Sequence, residues 1–263
     1  MTHQIFDTVG STNFTVPSGV TEMWWTAQGG GGGGGGGNSA AAPNGTGGVG
    51  GGAGEHLARW RIHVEPDATL TVHVGDGGAG GAVGQLGSKG EQTYIAGTLL
   101  PVPVAKGGTM GNMGTGDGWG MFTNKSPVNA TQADGDPTTI SAGPWVDYLP
   151  KDNVAHTRPG NTGPHSTSLY KMFSGSGAGR PADSTYQQAG RSRTFVGLAN
   201  VEGGSGLGGS AGGCSPIGDG GVGGNEGSAG NGPTYGHYGG GGGGGGRNAA
   251  GGAGAQGVGI LEW

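Results

Sequence analysis

Two uninterrupted glycine runs, residues 29–37 and 239–246, lie near opposite ends of this chain. Glycine loses more backbone freedom on folding than any other residue, so a long run is usually left as a flexible linker. Here each run lies beside a segment patterned as a β-strand, within a repeating order of strand and glycine block. The chain must therefore leave the runs as loops or stabilise them through close main-chain packing.

The composition rules out a conventional core of the size expected for this length. Glycine supplies 72 of 263 residues, against an average near 7%, and only 31% of residues are hydrophobic. Collagen is excluded because glycine does not recur strictly at every third position and there are only 14 prolines. The stabilisation must come from backbone contacts, from a partner surface, or from both.

Charge and cysteine content exclude several function classes. The net charge is −5 with no basic run, so we expect no nucleic-acid partner, because phosphate binding needs clustered cations. The single cysteine, Cys214, allows neither an internal disulfide nor a zinc cluster. We expect no membrane insertion, since no segment approaches 18 consecutive apolar residues, and no signal peptide, since the N-terminus is polar.

Alternating apolar residues predict several strands and no α-helix. Residues 22–27 place Met23, Trp25 and Ala27 on one face, and residues 14–20 form a short strand that ends in a Pro-Ser-Gly turn. A weaker strand covers residues 92–96. Residues 258–263, ending in Trp263, form a terminal strand that must find a sheet edge. The fold class is all-β, a sandwich-like scaffold with glycine-rich irregular structure.

Residues 56–64 and 69–74 predict a β-hairpin. Ala58, Trp60, Ile62 and Val64 share one face of the first strand, and Leu70, Val72 and Val74 share one face of the second. Pairing Val64 with Leu70, Ile62 with Val72 and Trp60 with Val74 keeps all of them on the same side. We expect Trp25, Trp60, Ile62, Leu70, Val72 and Trp263 to be structural residues.

A change in composition divides the chain into a scaffold and an insertion. Residues 109–202 contain 14 glycines in 94 residues, whereas 1–108 and 203–263 contain the other 58. The insertion is expected to be loop-rich and to form either a second small hydrophobic cluster or a recognition surface, because aromatic side chains dominate binding hot spots. Its candidate binding residues are Trp119, Phe122, Trp145, Tyr148, Tyr170, Phe173 and Tyr186.

The glycine blocks have two interpretations. They are long flexible loops, or they are extended helices of the polyglycine II type, with three residues per turn, packed side by side. We favour the packed form because apolar residues interrupt the blocks as if to pin them: Val49, Ala53, Val83, Leu86, Leu207, Ile217 and Val222. A nine-residue run would then span roughly 28 Å.

The sequence contains no catalytic constellation and predicts no cofactor. Residues 45–50 match the dinucleotide-binding glycine pattern, but several such matches arise by chance in so glycine-rich a chain, and the strand–turn–helix context is missing. His63 and His73 share an outward face in the predicted hairpin, with His73 opposite Arg61, so we expect them to be solvated. His156 and His165 have no cysteine or clustered carboxylates beside them. We therefore predict no metal site.

The order of elements resembles the glycine-rich domain of tailed-phage tail proteins. The matching parts are residues 14–21, the strand leading into the first run, Gly54-Glu55 before the next strand, residues 69–81, and the ending from 239–246 through 251–254 to 257–263. The resemblance covers roughly residues 5–108 and 203–263, and the insertion has no counterpart in it. The glycine blocks also resemble, more weakly, those of phage adhesins in which packed polyglycine helices present variable loops.

The resemblance implies a virion structural protein, made in a host cytoplasm and most often placed in the tail fibre or tail tip. Its partners would be other virion proteins, further copies of itself, with trimers the usual case by analogy, and a host receptor or glycan. The alternative is a capsid decoration protein or head fibre with a purely architectural role. An enzyme such as a glycan depolymerase would need paired carboxylates in a groove, and Asp134 and Asp136 are close only in sequence.

Overall fold

A computed structural model places two antiparallel sheets at one end of the protein. It describes residues 1–39, 47–102, 104–108, 110–111, 113, 192–193, 200–201, 204, 208–209, 211–215, 217–233 and 238–263. The strands are β1 His3–Phe6, β2 Gly10–Thr15, β3 Glu22–Gln28, β4 His56–His63, β5 Thr69–Val74, β6 Tyr94–Ala96, β7 Ser192–Arg193, β8 Asn200–Val201 and β9 Val258–Glu262. The described residues contain no α-helix, and the fold is all-β.

The two sheets face each other across one hydrophobic core. The first has the order β1-β9-β3-β4 and the second β2-β5-β6, while β7 and β8 form a separate two-stranded ladder. The first sheet buries Trp25 and Ile62, and the second buries Leu70 and Val72. Trp60 and Trp263 are half-buried against the same core. All six residues expected to be structural therefore contribute to it.

The predicted hairpin is wrong, although its buried faces are largely right. Strand β4 pairs with β3 in the first sheet, whereas β5 pairs with β2 and β6 in the second. Ile62 and Val72 thus belong to the same core from different sheets instead of lying side by side in one. Alternation determines which face of a strand is buried, but it does not determine which strand lies next to it.

A β-bulge changes which residue of β4 is buried. The pairing moves from Trp25 with Trp60 to Ala27 with Leu57, and Arg59 takes a positive φ of 45°. Leu57 is therefore fully buried, whereas Ala58, which the alternation placed on the core face, is only half-buried. A bulge inserts one extra residue, so every position beyond it changes face.

The strands predicted at 22–27, 92–96 and 258–263 are confirmed as β3, β6 and β9, whereas the strand predicted at 14–20 is shifted, because β2 ends at Thr15. Strand β3 buries Met23, Trp25 and Ala27, and Gly19 has a positive φ of 80° in the turn that follows β2. The terminal strand β9 lies between β1 and β3, in the interior of its sheet. The short strand β1, which alternation did not predict, covers the edge that β9 would otherwise present.

Candidate functional site

The first glycine run forms the centre of a packed polyglycine array. Every backbone N–H from Gly29 to Gly37 donates a hydrogen bond, at 2.7–2.9 Å, to another glycine-rich segment. Donors three residues apart reach the same neighbour, and the three neighbours are residues 49–55, 85–91 and 249–255. A segment that repeats its contacts every third residue is an extended helix with three residues per turn.

Three further helices donate to the same central run. Gly78, Gly81 and Gly84 donate to the carbonyls of Gly31, Gly34 and Gly37 in turn. Gly108 and Gly111 donate to the carbonyls of Gly30 and Gly33, and the second glycine run donates to those of Gly32 and Gly35. The donating helices run parallel to the central run and the accepting ones run antiparallel. The central run is thus enclosed by six neighbours with its backbone hydrogen-bonding capacity used in every direction.

The second glycine run is a further centre of the same array. Gly242 and Gly245 donate to Gly32 and Gly35 of the first run, and Gly243 donates to Asn231. Its carbonyls accept from helices that include residues 48–54, 221–224 and 252–255. The expectation of packed extended helices is therefore confirmed for both runs, and the flexible-loop interpretation is wrong for them.

Backbone contacts, more than apolar side chains, hold the array together. Of the residues expected to pin the glycine blocks, Val49 and Ala53 are buried. By contrast Val83, Leu86, Ile217 and Val222 are 38–43% exposed, and Leu207 lies outside the described residues. The hydrogen bonds between helices provide the contacts that these side chains do not.

The array is continuous with the β-sandwich at one end only. Strand β3 runs directly into Gly29, and β5 runs into Gly75. The helices of residues 47–55 and 249–257 lead into β4 and β9. The Gly29 side of the array is therefore its base, and the Gly37 side, farthest from the sandwich, is its distal end.

The distal end carries turns between helices. Tight turns lie at residues 82–85, 225–228 and 246–249, each closed by a hydrogen bond of 2.8–3.0 Å across it. Asn248 also donates to the carbonyl of Asn38, where the central run ends. These turns form the candidate functional site together with the chain that leaves the array nearby.

The long 109–202 segment connects to the array in its distal half. On one side, Gly111 donates to Gly33 at 2.7 Å and accepts from Gly87. On the other side, Gly204 donates to Gly209, which in turn donates to Gly224 in the helix that ends at the 225–228 turn. Both flanks of the segment are thus fixed by the array on the side away from the sandwich.

The glycine-rich architecture agrees with a comparison of families. The sequence pattern of the glycine-rich domain family matches residues 7–263. The chain belongs to the glycine-rich domain family. No curated protein matches the chain.

Among the described residues, one ion pair lies at the distal end of this glycine-rich domain. Arg247, in the turn after the second glycine run, donates to the carboxylate of Glu226 in the neighbouring turn. Both side chains are partly exposed, so the pair connects two turns while part of each side chain stays in contact with solvent. Exposed pairs of this kind contribute little to stability.

The candidate binding aromatics of the insertion all lie outside the described residues, so their role stays a prediction. His156 and His165 lie there too. Within the described part, no group of three or more His, Cys, Asp or Glu side chains is placed to hold a metal ion. No described helix is long and apolar enough to cross a membrane.

The histidines of the sandwich lie on different sheets, contrary to the predicted shared face. His63, on β4, is 3.6 Å from the carboxylate of Glu22. His73, on β5, stacks on Tyr94 with ring centroids 4.9 Å apart and hydrogen-bonds the Ser11 hydroxyl. The correction follows from the sheet pairing, because β4 and β5 are not neighbours.

Most helices around the two runs were not predicted individually, although the sequence carries a signal for them. Glycines recur every third residue at 75, 78 and 81, at 87 and 90, at 108 and 111, and at 251, 254 and 257. These positions face neighbouring backbone, whereas most of the residues between them carry side chains. A search for glycine at a spacing of three would have found these helices.

A buried polar pair lies where the sandwich meets the array. Gln28 is fully buried at the end of β3, and its Nε2 donates to the Gly54 carbonyl at 2.8 Å. Its Oε1 lies 3.2 Å from Nδ1 of His56, the first residue of β4. Burial lowers the pKa of His56 from 6.5 to about 4, so this histidine is neutral in the folded protein near pH 7.

We expect acid to destabilise this junction through His56. Because its pKa is about 4 when folded and 6.5 when unfolded, the unfolded chain takes up the proton first as pH falls. The contribution of neutral His56 to the free energy of unfolding is complete above pH 6.5 and is lost as pH falls through 4. The change amounts to about 3 kcal/mol. Urea titrations at pH 7, 5.5 and 4 measure it.

The variant His56→Asn, which keeps an amide donor near Gln28, is the control. It should be less stable at pH 7 but should lose less stability on acidification than the wild type. An equal loss in both proteins would show that another group causes the acid sensitivity.

Proposed function

We propose that this protein is a structural component of a bacteriophage virion, in the tail fibre or tail tip, that presents the 109–202 segment to the host surface. The observation that carries the proposal is the attachment of both flanks of that segment, at Gly111 and Gly204, in the distal half of a hydrogen-bonded array. The segment emerges from a rigid support and is long enough to form a binding surface.

The mechanical properties of the array support this role. A flexible linker would let the loops move independently, and each binding event would then have to restrict that motion at an entropic cost. The array limits this cost because the Gly29 to Gly37 amides are all paired. Loops on a rigid scaffold can vary in sequence without changing the scaffold.

Binding through the insertion requires no catalytic group. Its aromatic residues, such as Trp119 and Trp145, would stack on sugars or pack into receptor pockets, as aromatic anchors do at other interfaces. Incubation of the purified protein with host polysaccharide is expected to leave the polysaccharide uncleaved.

The decisive experiment replaces residues 114–200 with a short Gly/Ser linker in the phage genome. We expect particles to assemble with a normal content of the protein, because the array keeps its helices, and adsorption to host cells to be lost. A linker that replaces residues 40–45, which follow the first glycine run in sequence, is the control and should leave adsorption intact.

Normal adsorption of phage that carry the 114–200 replacement would exclude a receptor-binding role. Immunogold labelling of the same particles then shows whether the protein is located in the tail or in the head. Label on the head would refute a tail location and favour the architectural role of a capsid decoration protein.

A further inference from the structure

One flank of the array consists of three adjacent extended helices, residues 77–84, 249–256 and 228–233, which we call the alanine flank. The first two are joined because Gly251 donates to Gly81 and Gly254 donates to Gly78, each at 2.9 Å. The third is joined to the second because Gly230 donates to Ala250 at 2.9 Å. The three therefore form a continuous layer.

The surface of this layer carries mostly small side chains and no charged ones. Ala79, Ala82, Ala253 and Ala229 are exposed. The three ranges contain no Asp, Glu, Lys or Arg residue. Another chain can therefore approach the backbone of the flank closely, without charge repulsion and without removing ions from water.

The backbone of the flank has hydrogen-bonding groups that the described part of the chain does not pair. Within that part, the N–H groups of Ala79, Ala82, Ala250 and Ala253 have no acceptor. The carbonyls of residues 77, 80, 251 and 254 likewise have no donor there. These groups repeat every three residues, or roughly 9.3 Å along each helix. The donors and acceptors that join helices inside the array are spaced in the same way.

We propose that the alanine flank is an interface between two copies of this chain. Rows of donors and acceptors with a three-residue repeat are complemented by polypeptide in the same extended conformation, and the flank of a second copy supplies it. Because the flank carries both donors and acceptors, two copies related by a two-fold axis place donor rows against acceptor rows. The array then continues across the interface and closes as a dimer. This proposal does not depend on where the protein is located in a particle.

Sedimentation equilibrium of the full chain over a wide concentration range tests the proposal, with Ala253→Glu and Ala96→Glu as a matched pair. Both alanines are exposed, but Ala96 lies on β6 of the sandwich, away from the flank. We expect the wild type and Ala96→Glu to rise towards twice the monomer mass. Ala253→Glu brings two like charges into the interface. Its association constant should be lower than that of the wild type by a factor on the order of ten or more.

Amide hydrogen exchange provides the second measurement. Association should slow exchange at Ala79, Ala82 and Ala253 as the wild-type concentration rises, and should not do so in Ala253→Glu. A wild type that stays monomeric, or an Ala253→Glu variant that associates as well as the wild type, would overturn the proposal. Slow exchange at these amides in a monomer would show that another part of the chain covers the flank, which would also overturn it.

Discussion

Gly34→Ala is expected to unfold the polyglycine array, whereas Gly232→Ala leaves it folded. A β-carbon at Gly34 would lie 2.1 Å from the carbonyl oxygen of Gly243, far inside van der Waals contact. At the half-exposed Gly232 the nearest atom would be 3.2 Å away. Overpacking a well-packed interior costs up to about 3 kcal/mol and sometimes more, and we expect Gly34→Ala to reach at least that value.

The cost at Gly34 is large because no flexible side chain can move aside. The atom in the way is backbone, and Gly243 itself donates to Asn231 and accepts from Gly252. Moving Gly243 would break bonds to two further helices. Gly242→Val should behave like Gly34→Ala, because its β-carbon would lie 2.0 Å from the Gly252 oxygen.

Urea unfolding monitored by circular dichroism measures both effects. Gly232→Ala is the matched control, since it makes the same chemical change at a half-exposed site where the nearest atom, 3.2 Å away, has to shift only slightly. It should lie within about 1 kcal/mol of the wild type. Equal stability of Gly34→Ala and Gly232→Ala would mean that the helices are not packed as closely as described.

The sequence predicts the elements of the sandwich better than their arrangement. Period-two alternation located β3, β4 and β5 and most of the core, including Trp25 and Leu70, because burial of one face leaves that pattern. It did not separate β4 from β5 into different sheets, since both arrangements bury the same residues. Nor did it reveal the bulge at Arg59, where the outlying φ falls on a residue other than glycine.

The array is predictable in part because its sequence requirement is sterically strict. Uninterrupted glycine at residues 29–37 indicates a segment with close neighbours on all sides, since a β-carbon at Gly31 would lie 1.9 Å from the Gly240 oxygen. Peripheral helices need glycine only on their inner sides, so their signal is weaker and mixed with alanine, serine and lysine. The number and order of helices come from long-range pairing, which no local pattern specifies.

The candidate site is the least predictable part of the protein. Composition alone separated the 109–202 segment from the scaffold, and the glycine spacing of three at 108 and 111 is the one local signal of where it joins the array. The flanking position Gly204 becomes recognisable only through its hydrogen bond to Gly209. The placement of Gly111 and Gly204 shows that the boundaries of the 109–202 segment lie in the distal half of the array.

Amide hydrogen exchange should divide the glycine-rich helices into protected and unprotected residues with a period of three. In the helix of residues 77–84, Gly78 and Gly81 donate to the central run, whereas the exposed Ala79 and Ala82 have no acceptor within the described part of the chain. For the paired amides, exchange requires opening of the array. At the usual free energies of unfolding, their exchange should be slower by about 10³-fold or more than in the unfolded chain.

NMR-detected exchange on dilute protein measures this contrast within one helix at one pH and temperature, and dividing each rate by that of the same amide in the unfolded chain removes the effect of local sequence. Ala79 and Ala82 should exchange within about tenfold of the unfolded rate, because water already reaches them. All nine amides from Gly29 to Gly37 should be as slow as Gly78 and Gly81, since each donates to another helix. If the glycine runs were flexible loops, all these amides would exchange at the unfolded rate, with no period of three.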